Sequence, residues 1–304
     1  MVDVRTCAPI APADLSVVRA AADAAEAVDG HPSLGGGVWR DLAAPSPTST
    51  LLVAEVDGTA AGALHLTARP DGAFTAAVVV HPDHREAGVA SKLVGVAVEA
   101  VSARGGGHLA IWAFGTDERA DAFASSSGFI RERELWQMRV PLPLAEQPRW
   151  PTNVEVRSFV PGRDEHQWVL VNNRAFAHDP DQGRWSEDDL RRLEAEPWFD
   201  AKGFLVAATA DGFAGFCWTK LHPAVPPHEP DVLGEIFVIG VDPSHQGTGL
   251  GRALVLGGLA SLHERGAPVG MLFVDAENAP AIGLYRDLGF SVARVDRAYG
   301  QDVQ

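Results

Sequence analysis

Gln246-Gly247-Thr248-Gly249-Leu250-Gly251 follows the apolar run Glu235-Ile236-Phe237-Val238-Ile239-Gly240-Val241, and this junction decides how the 304-residue chain is read. The run predicts a strand that enters a glycine-bearing turn and then a long helix. Such a turn presents several backbone N–H groups at the positive end of the helix. Those groups bind phosphate without any basic side chain. Gly249 and Gly251 let a pyrophosphate approach the backbone closely, and Gly247 adds flexibility. Position 252 is Arg, so the spacing is not G-x-G-x-x-G, and no acidic residue follows on a second strand to hold a ribose. The G-x-x-x-x-G-K-[ST] nucleotide loop is also absent. A single turn of this kind also serves as a tight connection with no ligand.

Here the turn occurs twice. Arg85-Glu86-Ala87-Gly88-Val89-Ala90 shares the pattern Arg/Gln-x-x-Gly-x-Ala/Gly with residues 246–251, at an offset of 161. The same offset carries Val80 to Val241, Pro82 to Pro243, Leu93 to Leu254 and Gly128-Phe129 to Gly289-Phe290. Upstream the match continues with slightly different offsets. Val2-Asp3-Val4-Arg5 resembles Val154-Glu155-Val156-Arg157, and Leu52-Val53-Ala54 resembles Leu205-Val206-Ala207. A long internal repeat of this sort means duplicated domains. The expected division is residues 1–140, a proline-rich linker 141–151, and residues 152–304.

Each copy reads in one order: a short strand, helical segments such as 13–28 with Asp14 in the N-cap region, and a hairpin turning at Asp57-Gly58 or Asp211-Gly212. A third strand (74–80 or 235–241) leads into the glycine turn and a long helix. A later strand (108–113 or 270–274), a short helix and a closing strand follow. The fold class is α/β, with a mixed β-sheet flanked by helices in each of two tandem domains.

Composition bounds the function. A net charge of −15 argues against binding a phosphate backbone, although it leaves room for a local anion pocket. Cys7 and Cys217, far apart and each in an apolar context, read as two buried thiols rather than a disulfide. No Cys/His cluster points to a metal. No apolar signal core opens the chain, and no stretch reaches the ~18 apolar residues of a membrane span. The expectation is a cytoplasmic monomer without nucleic-acid or membrane partners.

Gln246-x-x-Gly249-x-Gly251 after Val238–Val241, with Asn278 and Tyr285-x-x-x-Gly289-Phe290 downstream, resembles the GNAT acetyltransferase superfamily. The resemblance covers both halves. It implies two tandem GNAT domains, with acetyl-CoA as co-substrate and its pyrophosphate held at the turn. The runs Val171-Asn172-Asn173-Arg174-Ala175-Phe176-Ala177, Trp218-Thr219-Lys220, Gly234–Pro243 and Val295-Asp296-Arg297-Ala298-Tyr299 are similar to the mycothiol synthase family. That implies acetylation of the cysteinyl amine of cysteinyl-glucosaminyl-inositol. Another small amine, such as an aminoglycoside or polyamine, and a non-catalytic acetyl-CoA-binding module stand as alternatives.

Acetyl transfer to an amine needs an ammonium proton removed, an oxyanion stabilised and a departing thiolate protonated. Glu235 is placed for the first task, and Tyr285 for the last; the resemblance assigns the same roles. Either residue taken alone reads equally as a strand-end carboxylate or a half-buried ring. The resemblance further implies that Ile239, Gly240, Val241, Gln246, Gly247, Thr248, Gly249, Leu250, Gly251, Arg252, Asn278, Ala281 and Gly283 touch acetyl-CoA. In the N-terminal copy it points to Val78, Val79, Val80, Glu86, Ala87, Gly88, Val89, Ala90 and Ser91. Asp181, Lys220, Glu235 and Phe273 are implied around the acceptor amine. Subtracting 161 puts Phe74 at the place of Glu235 and Ala124 at that of Tyr285, so the N-terminal copy reads as catalytically degenerate. Two departures bear on the acceptor. Gly36 stands where the family has an acidic residue, and Phe273 stands where it has a tyrosine.

Overall fold

The computed structural model describes every residue except Ala8, Pro70, Asp117, 179–181, 226–228 and Pro230. The first half runs β1 (Val2–Cys7), α1 (Pro12–Asp29), α2 (Gly36–Ala43), β2 (Ser49–Val56), β3 (Thr59–Ala68), β4 (Phe74–Val80), α3 (Val89–Ser102), β5 (Gly107–Ala113), α4 (Glu118–Ser126) and β6 (Ile130–Pro141). The second repeats the order: β7 (Glu155–Ser158), α5 (Glu165–Ala175), α6 (Glu187–Glu194), β8 (Phe204–Thr209), β9 (Gly212–His222), β10 (Leu233–Val241), α7 (Leu250–Glu264), β11 (Val269–Asp275), α8 (Ala279–Asp287) and β12 (Ser291–Val303). The first hairpin turns at Asp57-Gly58 as expected, and the second at Ala210-Asp211, one residue before the expected pair, with Gly212 opening β9 opposite Thr209. Each also carries a bulge at a matched place, Ala54/Glu55 and Ala207/Ala208, so the duplication extends to backbone irregularities.

The compact units are not the two halves of the sequence. One comprises Met1–Trp136, Asp275–Glu277 and Arg294–Gln304; the other comprises Gln137–Val274 and Asn278–Ala293. In the first the strand order is β1-β2-β3-β4-β5-β12, and in the second β6-β11-β10-β9-β8-β7. The closing strand of each half thus completes the sheet of the other. Arg297–Val303 pairs antiparallel with β5, from Arg297↔Ala113 to Val303↔Gly107. The expected division set 1–140 against 152–304, whereas these compact units exchange strand segments. Duplicated copies offer near-equivalent edges at β5 and β11, and strand patterning does not say which of two such edges a closing strand will take.

Residues 141–151 are not a free linker either. The Leu142 N–H donates to the Pro268 carbonyl at 2.8 Å. Trp150 lies against α7, where a Cβ on Gly257 would fall 2.8 Å from its ring, so the absent side chain there is a packing requirement. Asp14 lies in the N-cap region, as expected. The N-cap of α1 is Ala11, and Asp14 reaches back to accept its N–H at 2.8 Å.

In the first unit both faces of the sheet are buried. Leu52, Leu64 and Leu66 pack on the α3 side, while Leu51, Val53 and Ala63 pack on the α1 side. Period-two alternation of side chains explains why both sets are apolar. The second unit instead builds its α5–α6 side from aromatic rings. Phe204 stacks between Phe159 and Trp218, with centroids at 4.3 and 4.5 Å. Cys7 and Cys217 are free and buried. Among the described residues no helix is long and apolar enough to cross a membrane.

Candidate active site

β10 organises the site. Its antiparallel ladder with β9 shifts register between Ile236 and Val238, which face Thr219 and Trp218, leaving Phe237 as an extra residue. A bulge of this kind bends a strand and re-aims its side chains. The parallel pairing of β10 with β11 runs from Leu233↔Val269 only to Ile236↔Leu272. Beyond it Ile239, Gly240 and Val241 keep their β9 partners but are not paired with β11, so that backbone edge is released from the ladder. Free edge groups of this sort receive an extended amide-bearing chain by strand addition. Gly240 is obligatory there, since a Cβ would fall 2.8 Å from the Phe216 ring.

β10 ends at the turn. Gly247 and Gly249 have φ of +74° and +84°, and a Cβ at either would meet nothing within 4 Å. Gly249 is the N-cap of α7 and leaves the first amides of the helix without a side-chain acceptor. Gln246, Gly247, Thr248 and Gly249 are exposed, whereas Leu250 is buried and anchors the helix start. Gly251 has van der Waals room, with a Cβ 3.7 Å from Val241. The Thr248 hydroxyl donates to the His245 carbonyl at 2.7 Å and braces the loop. Arg252 donates twice to the Glu146 carboxylate, at 2.9 and 2.7 Å. The cradle thus fits a pyrophosphate through its backbone alone.

Glu235 sits near the start of β10 with its side chain 10% exposed. Lys220 of β9 stands directly across the ladder from it. The Lys220 ammonium lies 4.5 Å from the centre of the Trp198 ring and 5.9 Å from that of Phe237. Lys220 is therefore packed over aromatic faces rather than loose at the surface. His222 Nε2 approaches Glu235 Oε2 to 2.6 Å.

Tyr285 is buried on α8 beside Phe290, with ring centroids 5.6 Å apart. Burial, with a smaller contribution from Cys217, pushes its phenol up to about 12. It is therefore a protonated group at neutral pH, the state that an acid needs. Asn278 caps α8 by accepting the Ala281 N–H at 3.2 Å. Gly283 is exposed on the same helix, and Phe273 lies on β11 just past the last paired residue. Asp181 falls outside the described residues.

The N-terminal copy is a control within the same chain. Phe74 and Ala124 both belong to the hydrophobic cluster under α3, and opposite Phe74 stands Ala68 rather than a lysine. Its β3–β4 ladder has no bulge. The phosphate turn nevertheless keeps its shape. Glu86 and Gly88 have φ of +64° and +78°, and Gly88 caps α3 as Gly249 caps α7. A non-glycine residue in that region costs roughly 1–2 kcal/mol. Ala87 and Ser91 are exposed, Val89 is buried and Ala90 half-buried. Arg85 is held by Asp29 at 2.8 and 2.7 Å. Val78, Val79 and Val80 line a cleft of about 150 Å³ with Asp29, Arg85 and Phe114. At Gly36, in the first turn of α2, a Cβ would meet nothing within 4 Å, so a side chain would fit there.

The sequence reading missed three features: the bulge at Phe237, the clasp of Glu146 on Arg252, and His222. The last had a signal, because residues two apart on a strand share a face and Lys220 was already singled out.

The sequence matches the acetyltransferase (GNAT) family over residues 22–129 and again over 170–290. A mycothiol acetyltransferase of Thermomonospora curvata is 44% identical over 94% of this chain and 93% of its own. One from Actinosynnema mirum is 44% identical over 90% of this chain and 91% of its own. Two solved structures share the fold. A GCN5-related N-acetyltransferase from Sphaerobacter thermophilus has a TM-score of 0.77 at 23% identity, covering 100% of this chain and 96% of its own. A tandem GNAT protein from the clavulanic acid biosynthesis pathway has a TM-score of 0.76 at 18% identity, covering 100% and 99%.

Proposed function

We propose, since the chain belongs to the acetyltransferase (GNAT) family and within it to the mycothiol acetyltransferases, that it has mycothiol synthase activity. It moves the acetyl group of acetyl-CoA to the cysteinyl amine of cysteinyl-glucosaminyl-inositol. The observation that carries the site is the layout of one strand: a buried carboxylate near the start of β10, an open backbone edge at its end, and a glycine cradle directly after it.

In this reading Glu235 accepts a proton from the substrate ammonium, directly or through water. The freed amine nitrogen attacks the thioester carbonyl carbon, the C–S bond breaks as the Tyr285 hydroxyl gives its proton to the departing sulfur, and the acetylated nitrogen releases its surplus proton, which restores the phenol through solvent. Ile239, Gly240 and Val241 carry the pantetheine arm, and residues 246–252 carry the pyrophosphate. Asn278, Ala281 and Gly283 border the same arm. Lys220, Asp181 and Phe273 border the acceptor. The N-terminal copy has no acid or base and acts as scaffold or as a second acetyl-CoA site through Val78–Val80 and Glu86–Ser91. The same reading takes the protein as a cytoplasmic monomer, and acid–base chemistry of this type requires no metal.

The test is acetyl-CoA turnover against cysteinyl-glucosaminyl-inositol and a panel of aminoglycosides and polyamines, with products identified by mass. Turnover confined to the cysteinyl acceptor is expected. Turnover confined to another amine would overturn the substrate, and tight acetyl-CoA binding without turnover would overturn the enzyme.

A further inference from the structure

Three polar side chains share one face at the β9–β10 ladder. Lys220 stands across from Glu235, and His222 stands across from Leu233, two residues further along the same face. The Glu235 side chain is 10% exposed, and that of His222 is 32% exposed. The imidazole therefore lies between a buried carboxylate and solvent, joined to the carboxylate by a 2.6 Å contact through Nε2. A carboxylate on a strand has free rotation about its last bond unless something holds it, and proton transfer is sensitive to its direction.

We propose that His222 is the positioning residue of Glu235. Its Nε2–H donates to Oε2, which fixes the plane of the carboxylate and leaves Oε1 as the oxygen that receives the ammonium proton. No bond to substrate is required of His222, and the hydrogen bond persists as Glu235 gains and loses its proton on the other oxygen. The inference rests on Glu235 being the base. The N-terminal copy agrees with it, because there the base position is Phe74, its cross-strand partner is Ala68, and both lie against apolar core.

Steady-state kinetics of His222→Ala, His222→Gln and Glu235→Gln test this, with acetyl-CoA binding measured separately by calorimetry. Glutamine keeps an N–H donor near the place of Nε2, so it separates holding the carboxylate from any need for an imidazole. Expected are a kcat lowered about 10- to 100-fold in His222→Ala with unchanged acetyl-CoA affinity, and recovery to within about threefold of the parent in His222→Gln. A parental kcat in His222→Ala, with Glu235→Gln inactive, would overturn the inference and leave the base in place. So would a His222→Gln enzyme as slow as His222→Ala, since the imidazole itself would then be the working group. A fully active Glu235→Gln would instead remove the reading on which the inference rests.

Discussion

Phe237 has no partner across the β9–β10 ladder, whereas Ala76, its counterpart in the first copy, pairs with Leu66 in an unbroken ladder. The offset of 161 runs through both strands without a gap, so the copies differ here in register against the neighbouring strand and not by an insertion in β10. The Phe237 ring packs against Trp198 and Trp218 at 5.1 and 5.3 Å, beneath the Lys220 ammonium. Phe237→Ala should therefore raise the acceptor KM several-fold through a loosened Lys220, while leaving the acetyl-CoA KM unchanged. Parallel titrations of the two substrates check this.

Tyr285, pushed up to about 12 chiefly by burial, keeps its proton throughout the range in which an enzyme is assayed. Tyr285→Phe should leave acetyl-CoA affinity intact and lower kcat by about 10²-fold or more, the usual worth of a positioned acid. The parent rate should show no alkaline loss attributable to this phenol below about pH 11. An unchanged kcat in the variant would remove the residue from the mechanism.

The Glu146 carboxylate accepts from Nε and Nη2 of Arg252 at the start of α7. Its negative charge beside the cradle opposes the approach of a coenzyme phosphate and offsets the attraction of the guanidinium. Glu146→Gln should lower the acetyl-CoA KM about two- to fivefold, with kcat unaffected. Because the pair is solvent-facing, the difference should shrink as salt is added.

Glu194 on α6 is raised to about 6, first by burial and then by the neighbouring Glu165 carboxylate. Its folded value lies above the ordinary 4.5, so this group's contribution to stability is complete below pH ~4.5 and is lost as pH rises through ~6. Glu194→Gln removes the buried charge. It should raise the melting temperature at pH 8 and make little difference at pH 4.5, as measured by thermal unfolding at both values.

Much of this was written in the sequence. The offset of 161 placed both glycine turns, and the structure gives the two turns matching backbone angles even though Glu86 replaces Gly247. Hairpin turns and strand positions followed from Asp-Gly pairs and apolar runs. The exchange of closing strands was not legible, because β6 and β12 meet copies of the same edge and alternation is blind to which copy that is. The bulge was hidden for a related reason: it is a shift of register against β9, and the apolar pattern of β10 stays intact. Asp14 lies in the N-cap region as read, acting from the third helical position, where a carboxylate caps by accepting the N-cap N–H. The exchange is testable directly. Removing residues 294–304 should accelerate amide exchange in β5 and leave β8 to β10 protected, as read by hydrogen–deuterium exchange.

The central claim is that the C-terminal copy acetylates the cysteinyl amine with Glu235 as base. The most direct measurement is the initial rate of N-acetylated product from cysteinyl-glucosaminyl-inositol, followed by mass, in the parent and in Glu235→Gln. Steady turnover is expected in the parent and a rate at least about 10²-fold lower in the variant, with acetyl-CoA affinity unchanged. A variant that keeps the parental rate would contradict that claim.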